Sequence, residues 1–218
     1  MLRPAPTLAA LLFAASTSTS LAAQGGRRGP PQTASFQTTV APIDLNAILA
    51  RPTSTGVTLS LLSGIDREVT VTIDDDLRRP TVYALKAGEP HAVELAGLTP
   101  DRAYHYAVRG GGASLTGSFH TARGAAAPFR FVLQADSHLD ERSDTRVYAT
   151  TLANMRTDSA DFLIDLGDTF MSEKYRDFRS ASAQYYAQRS YFGLVGHQVP
   201  IFKSEEHTSE LQSHSFIS

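Results

Sequence analysis

Two apolar runs, Phe129-Arg130-Phe131-Val132-Leu133 and Phe162-Leu163-Ile164-Asp165-Leu166, constrain the fold of this chain more than any other feature. Each has the length of a strand, and dense apolar runs without polar alternation belong to parallel strands covered on both faces. Between them, Asp144-Thr145 can cap a helix in which Val147, Thr151, Leu152 and Met155 recur at near-helical spacing, a face for the sheet to cover. Strand, helix and strand within about forty residues make a βαβ unit, whose crossover places both strand ends on one edge of the sheet. A third strand is expected at Val199-Pro200-Ile201-Phe202.

Both runs end in a polar cluster. Asp136-Ser137-His138 follows the first, and Gly167-Asp168 follows the second. The carboxyl ends of parallel strands form the crevice in which open α/β sheets hold ligands. Asp136 and His138 alternate along an extended chain and should project to one side as a two-point claw for a divalent cation. Gly167 permits a tight turn that brings Asp168 to the neighbouring strand end. A carboxylate can bridge two cations, and two cations ~3.5–4 Å apart can acidify a shared water and clamp the oxygens of a phosphate during in-line attack.

Residues 38–123 follow a different pattern. Val57-Thr58-Leu59-Ser60-Leu61 and Val69-Thr70-Val71-Thr72-Ile73 alternate with period two, as half-buried strands do. Further short strands are expected at Thr81–Leu85, Ala92–Leu95, Tyr104–Val108 and Ser114–Thr121, with turn formers at Ser63-Gly64, Asp74-Asp75-Asp76, Lys86 to Pro90 and Gly110 to Gly112. Regular short strands of this kind predict an all-β sandwich. The glycine run opens no helix and so predicts a hairpin turn, not a phosphate cradle. The segment Leu98-Thr99-Pro100-Asp101-Arg102-Ala103-Tyr104 resembles the entry to the penultimate strand of fibronectin type III modules. That resemblance implies that Leu98 plugs the core and that the Tyr104 hydroxyl ties back to the backbone as a tyrosine corner.

Composition removes several classes of function. The 218 residues are 42% hydrophobic and 19% charged, which is globular and suits two small domains. With a net charge of -2 and only isolated basic pairs, Arg27-Arg28 and Arg78-Arg79, no nucleic-acid-binding surface is expected. There is no cysteine, hence no disulfide framework and no thiolate site, and any metal must be held by oxygen and imidazole. No Gly-x-Ser-x-Gly elbow is present. Residues 1–23 read as an export signal, with Arg3, an apolar Leu8–Ala15 stretch and a small-residue site at Ser20-Leu21-Ala22-Ala23. The stretch is too short for a membrane span. Residues 24–37 read as a linker, and the expected location is periplasmic or secreted.

Asp136-Ser137-His138 and Gly167-Asp168, in this order on consecutive strands, resemble the first two motifs of the calcineurin-like metallophosphoesterases, which include the purple acid phosphatases. The resemblance implies that residues 129–202 are the first part of an α/β metallophosphoesterase sandwich. It implies a phosphate mono- or diester as substrate, and a binuclear centre of Fe, Mn or Zn. In that centre Asp136 and His138 would bind the first ion and Asp168 would bridge both. The β-sandwich running into Phe129 looks like the purple acid phosphatase layout. Purple acid phosphatases carry a metal-binding tyrosine where this chain has Met171, and glycine in place of His138, so the broader phosphoesterase family is the better match.

The remaining features carry less. Asp140 and Glu141 can stand behind the metal ligands, although a solvated loop is the expectation, and Asp165 can orient a ligand, although an ordinary hydrogen-bonded strand residue is the expectation. Ser172 to about Tyr191 predicts a helix rich in Tyr and Arg, which can grip phosphate, although Phe178, Tyr185 and Phe192 also fit a packing face. The family's third motif, Gly-Asn-His, should follow Phe202, but residues 203–218 read otherwise. Ser204 to Ser213 resembles the translation of a sequencing-library adapter, so the phosphoesterase domain is expected to be cut off and inactive by itself. His207 with Glu205, Glu206 and Glu210 mimics a metal cluster and is assigned no role. The rival reading is an exported, non-catalytic adhesion or carbohydrate-binding protein.

Overall fold

The computed structural model describes residues 36–74 and 80–204. The expected export signal, most of the linker, the Arg78-Arg79 pair and the His207 cluster lie outside those residues. Ten strands and two α-helices are described, arranged as two antiparallel sheets followed by a small parallel one.

The first antiparallel sheet has the order β1-β2-β5, with β1 at Leu45–Ala50, β2 at Gly56–Ser63 and β5 at His91–Ala96. The second has the order β4-β3-β6-β7, with β3 at Arg67–Ile73, β4 at Thr81–Leu85, β6 at Ala103–Gly110 and β7 at Ala113–His120. Their facing side chains form one core of Ala47, Leu49, Val57, Leu59, Leu61, Val69, Val71, Val93, Tyr106, Val108 and Phe119, with neighbours. Gly111 and Gly112, both at positive φ, close the two-residue β6–β7 hairpin that the glycine run predicts. The Tyr104 hydroxyl accepts the Thr99 N–H at 2.7 Å, and Leu98 packs half-buried on the core.

Strand β1 escaped the periodicity reading because Leu45-Asn46-Ala47-Ile48-Leu49-Ala50 does not alternate. The reason lies in its surroundings. Helix α2, Phe178–Gly196, covers the outer face of the first sheet, so β1 and β2 are buried on both sides. The half-buried state expected of Val57–Leu61 is therefore wrong for β2, which is buried throughout. Arg189 of α2 is fully buried there. It donates to Asn46 Oδ1 at 2.7 Å, to Ser60 Oγ at 3.0 Å and to Ser60 O at 2.7 Å. Ser60 of β2 is thus part of the polar lining of a helix interface, while Thr58 donates to Glu94 Oε1 of β5 at 2.8 Å. Two glycines let the helix come this close. A Cβ on Gly193 would meet Asn46 Nδ2 at 2.1 Å, and one on Gly196 would crowd Ile48 and Ile201.

The parallel sheet has the order β10-β9-β8, with β8 at Phe131–Gln134, β9 at Phe162–Asp165 and β10 at Ile201–Lys203. Helix α1, Thr145–Thr157, makes the crossover from β8 to β9, and the Asp144 carboxylate caps it by accepting the Arg146 and Val147 amides. Its buried stripe is Tyr148, Leu152 and Met155. Val147 and Thr151, expected on that stripe, are exposed, because i, i+4, i+7 counted from Tyr148 gives a face about 100° away. The predicted helix from Ser172 begins as a short 3-10 turn at Ser172–Lys174. The α-helix starts only after Asp177, whose side chain and Ser180 form a reciprocal capping box.

The parallel strands are of the kind covered on both faces, whereas an uncovered apolar face is expected of a domain cut short, and among the described residues one face is uncovered. Val132, Leu163 and Ile201 face α1 and α2 in a core with Leu152, Phe192 and Val195. The opposite face carries Phe129, Phe131, Leu133, Leu166 and Phe202, each at least 41% exposed. Phe162 stacks against Phe129 and Phe131 at 5.8 and 5.6 Å and meets Phe202 edge-on at 5.5 Å. A continuous apolar run thus reports an apolar demand on both faces, and among the described residues only one is met.

Candidate metal centre

Strands β8 and β9 run in parallel with Gln134 opposite Asp165, so both end at the same level. The chains remain zipped beyond the strands. Leu166 N–H donates to Gln134 O at 2.9 Å, Asp136 N–H to Gly167 O at 3.1 Å, His138 N–H to Asp168 O at 3.2 Å and Leu139 N–H to Thr169 O at 2.8 Å. These bonds bring the two polar clusters side by side.

One ligand-capable atom each from Asp136, His138 and Asp168 lies within 4.8 Å of the others. His138 Nε2 is 3.5 Å from Asp136 Oδ1. Among the described residues this is the group of His and acidic side chains that could hold an ion. The three residues converge as expected, but not by the expected route. Asp136 and His138 are not on extended chain. They have φ of 57° and 43°, and Asp168 has φ of 52°, so all three sit in the left-handed region that non-glycine residues disfavour. Cross-loop backbone bonds, not period-two alternation, aim these side chains. Backbone held in sparsely populated conformations concentrates at functional sites and persists where surrounding contacts enforce it.

The donor set fits a transition-metal ion. Two carboxylates and one imidazole suit Fe, Mn or Zn. Metal–ligand distances of about 2.0–2.2 Å put ligand atoms on one ion at most about 4.4 Å apart, a contraction of a few tenths of an ångström from what is seen. Among the described residues, His138 Nδ1 is buried and meets no hydrogen-bond partner. Asp136 is open to solvent, with His138 and Asp168 half-buried, so a small anion can reach the trio.

Buried polar groups surround this cluster. Asp165 is 1% exposed, and burial raises the pKa of its carboxyl above the ordinary value. Its Oδ2 accepts Gln134 Nε2 at 2.6 Å, and the same Gln134 amide donates to Tyr148 Oη at 3.1 Å. Burial pushes the Tyr148 hydroxyl up to about 12 and the Lys203 amine down to about 8. Lys203, expected in the tail, instead ends β10 in register with Asp165. Asp140 also departs from expectation. Its side chain is fully buried, accepts the Met171 N–H at 3.3 Å and faces Lys174 Nζ at 3.5 Å, while Glu141 pairs with the same lysine from the surface. Gln134 and Tyr148 were not singled out from sequence, and only Gln134, as the polar end of an apolar run, carried a signal. Of the Arg and aromatic residues of α2, Tyr185, Arg189 and Phe192 are buried in packing roles.

The chain is thus an antiparallel sandwich followed by a βαβ unit with ligand-capable side chains at its carboxyl edge. Two solved structures share its fold. PhoD matches with a TM-score of 0.52 at 16% identity, over 74% of this chain and 38% of that one. A purple acid phosphatase from yellow lupin (Lupinus luteus) seeds matches with a TM-score of 0.57 at 15% identity, over 82% of this chain and 40% of that one. This chain spans about two fifths of the length of each. No protein-family model matches it, and no curated protein matches its sequence.

Proposed function

We propose that the chain carries the first half of the metal site of a phosphoesterase, with Asp136 and His138 on one ion and Asp168 shared with a second. The observation that carries this reading is the convergence of these three side chains on strained backbone at the carboxyl edge of β8 and β9. The fold shared with PhoD and the lupin phosphatase supports it. Bound ions of this kind supply a metal-activated water and a clamp for phosphate oxygens. The chain's own part is to hold two carboxylates and an imidazole at fixed separations, and to leave Asp136 open on the side from which a phosphate mono- or diester approaches. Lys203 stands at the end of β10, in register with Asp165, where the family's Gly-Asn-His motif would begin. Three donors suffice for one ion and not for two, so weak affinity and little turnover are expected of the described residues. We also propose export, directed by residues 1–23, to the periplasm or beyond.

Isothermal titration with Mn(II), Zn(II) and Fe(II) tests the metal site. Binding of about one ion, lost in Asp168→Asn, is expected, and no binding of any of the three would overturn it. Release of nitrophenol from mono- and bis-nitrophenyl phosphates is expected to be slow in the wild type and absent in the same variant.

A further inference from the structure

Asp165 and Asp140 are buried carboxylates at 1% and 4% exposure. Burying a carboxylate is costly unless its oxygens are satisfied. In both residues one partner is a backbone amide of the loop that carries Asp168. Asp165 Oδ1 accepts the Gly167 N–H at 3.1 Å, on the amino side of Asp168. Asp140 accepts the Met171 N–H with both oxygens at 3.3 Å, on the carboxyl side. The Gly167–Met171 turn is thus gripped at both ends.

The Asp140 grip starts from the other ligand-bearing loop, whereas Asp165 ends the strand that leads into the turn and is tied to the other side through Gln134. Asp140 follows His138 by two residues, and Asp165 reaches Gln134, two residues before Asp136, through a 2.6 Å bond to its amide. Tyr148 of α1 holds that amide from below at 3.1 Å. The turn between the grips has φ of 104° at Gly167 and 52° at Asp168, a conformation an unsupported chain would leave.

We infer that Asp165 and Asp140 are a pair of positioning residues, neither of them a metal ligand, which hold the strained Asp168 turn against the Asp136–His138 loop and so set the separation of the three donors. This rests on the metal reading above. Groups behind the ligands of metal sites commonly change affinity by about 10–100-fold when removed.

The test uses the full chain, with Mn(II) as probe and amide NMR spectra of the metal-free protein as a second readout. Asp165→Ala and Asp140→Ala should each weaken Mn(II) binding about tenfold or more. Each should also shift the amide signals of Gly167, Asp168 and Met171. Asp165→Asn keeps an oxygen for the Gly167 N–H, and the Gln134 amide can turn to meet the new NH2, so affinity should return to within about threefold of wild type. Leu152→Ala, which loosens the core beneath without touching either loop, controls for stability and should leave Mn(II) affinity within about twofold. Alanine variants that bind Mn(II) like the wild type, or an Asn variant as weak as Ala, would overturn the positioning role. If the wild type binds no Mn(II), the metal reading falls. The spectra then decide the role alone: unmoved Gly167 and Asp168 amides in the alanine variants refute it, and displaced ones uphold the gripped turn.

Discussion

The two β-regions of this molecule use similar side chains to opposite ends. In the sandwich, Leu59, Val93, Val108 and Phe119 are buried between two sheets, and the outer face of β1 and β2 is closed a second time by α2. In the parallel sheet, Val132, Leu163 and Ile201 are buried against helices while Phe131, Leu133 and Phe202 stand half-exposed on the other side. Apolar content therefore does not separate a finished layer from an open one. What separates them is whether a second surface lies within contact distance. The polar residues differ in the same way. Ser60 and Asn46 are interior because Arg189 satisfies them, whereas the carboxylates of the parallel sheet gather at one edge, where loop amides meet them.

If the sandwich is the stability core, Leu59→Ala should cost about 2–5 kcal/mol, read as a lowered denaturant midpoint, because the cavity lies between two sheets that cannot collapse onto it. Next is the helix that joins the regions. Arg189→Met keeps most of the volume but leaves Asn46 Oδ1 and Ser60 O without their donor, at a cost of about 2 kcal/mol by thermal unfolding. Tyr104→Phe removes the acceptor for Thr99 N–H and should cost about 1 kcal/mol in the same assay.

A smaller effect depends on pH. Burial holds the His197 imidazole below its ordinary value of 6.5, an influence that Arg156 reinforces and the bond to Gly193 O opposes. With the folded-state value depressed, the unfolded chain takes up the proton first. This contribution to stability is complete above about pH 6.5 and is lost as pH falls through the folded value. Stability of the wild type should drop more steeply below pH 6.5 than that of His197→Gln, and parallel curves would remove His197 from the account. The smallest change in stability belongs to the open face. Phe131→Ser should alter folding free energy by no more than about 0.5 kcal/mol, yet reduce self-association in sedimentation velocity, since large exposed apolar patches drive association. A large loss of stability there would mean that the face is not open in solution.

Most of the strand positions were legible, because period-two alternation and turn residues act locally: β3, β4 and the β6–β7 hairpin fall where the pattern puts them. The misreadings share one cause. β1, the buried outer face of β2, the phase of α1 and the depth of Asp140 all depend on a neighbour distant in sequence, and a local pattern holds no record of it. The candidate ligands were legible for the converse reason, since a parallel pair with matched ends brings whatever follows each strand together.

By itself, the order of residues determined that sandwich strands precede a βαβ unit and that Asp136, His138 and Asp168 follow its strands, because hydrophobic period and turn chemistry are properties of adjacent residues. Tertiary structure alone decided that these three meet through left-handed backbone locked by cross-loop amides. It also decided that Asp165 and Asp140 are buried beside them, and that α2 closes the outer face of β1 and β2. Each of those outcomes depends on surfaces that come together only when the chain has folded.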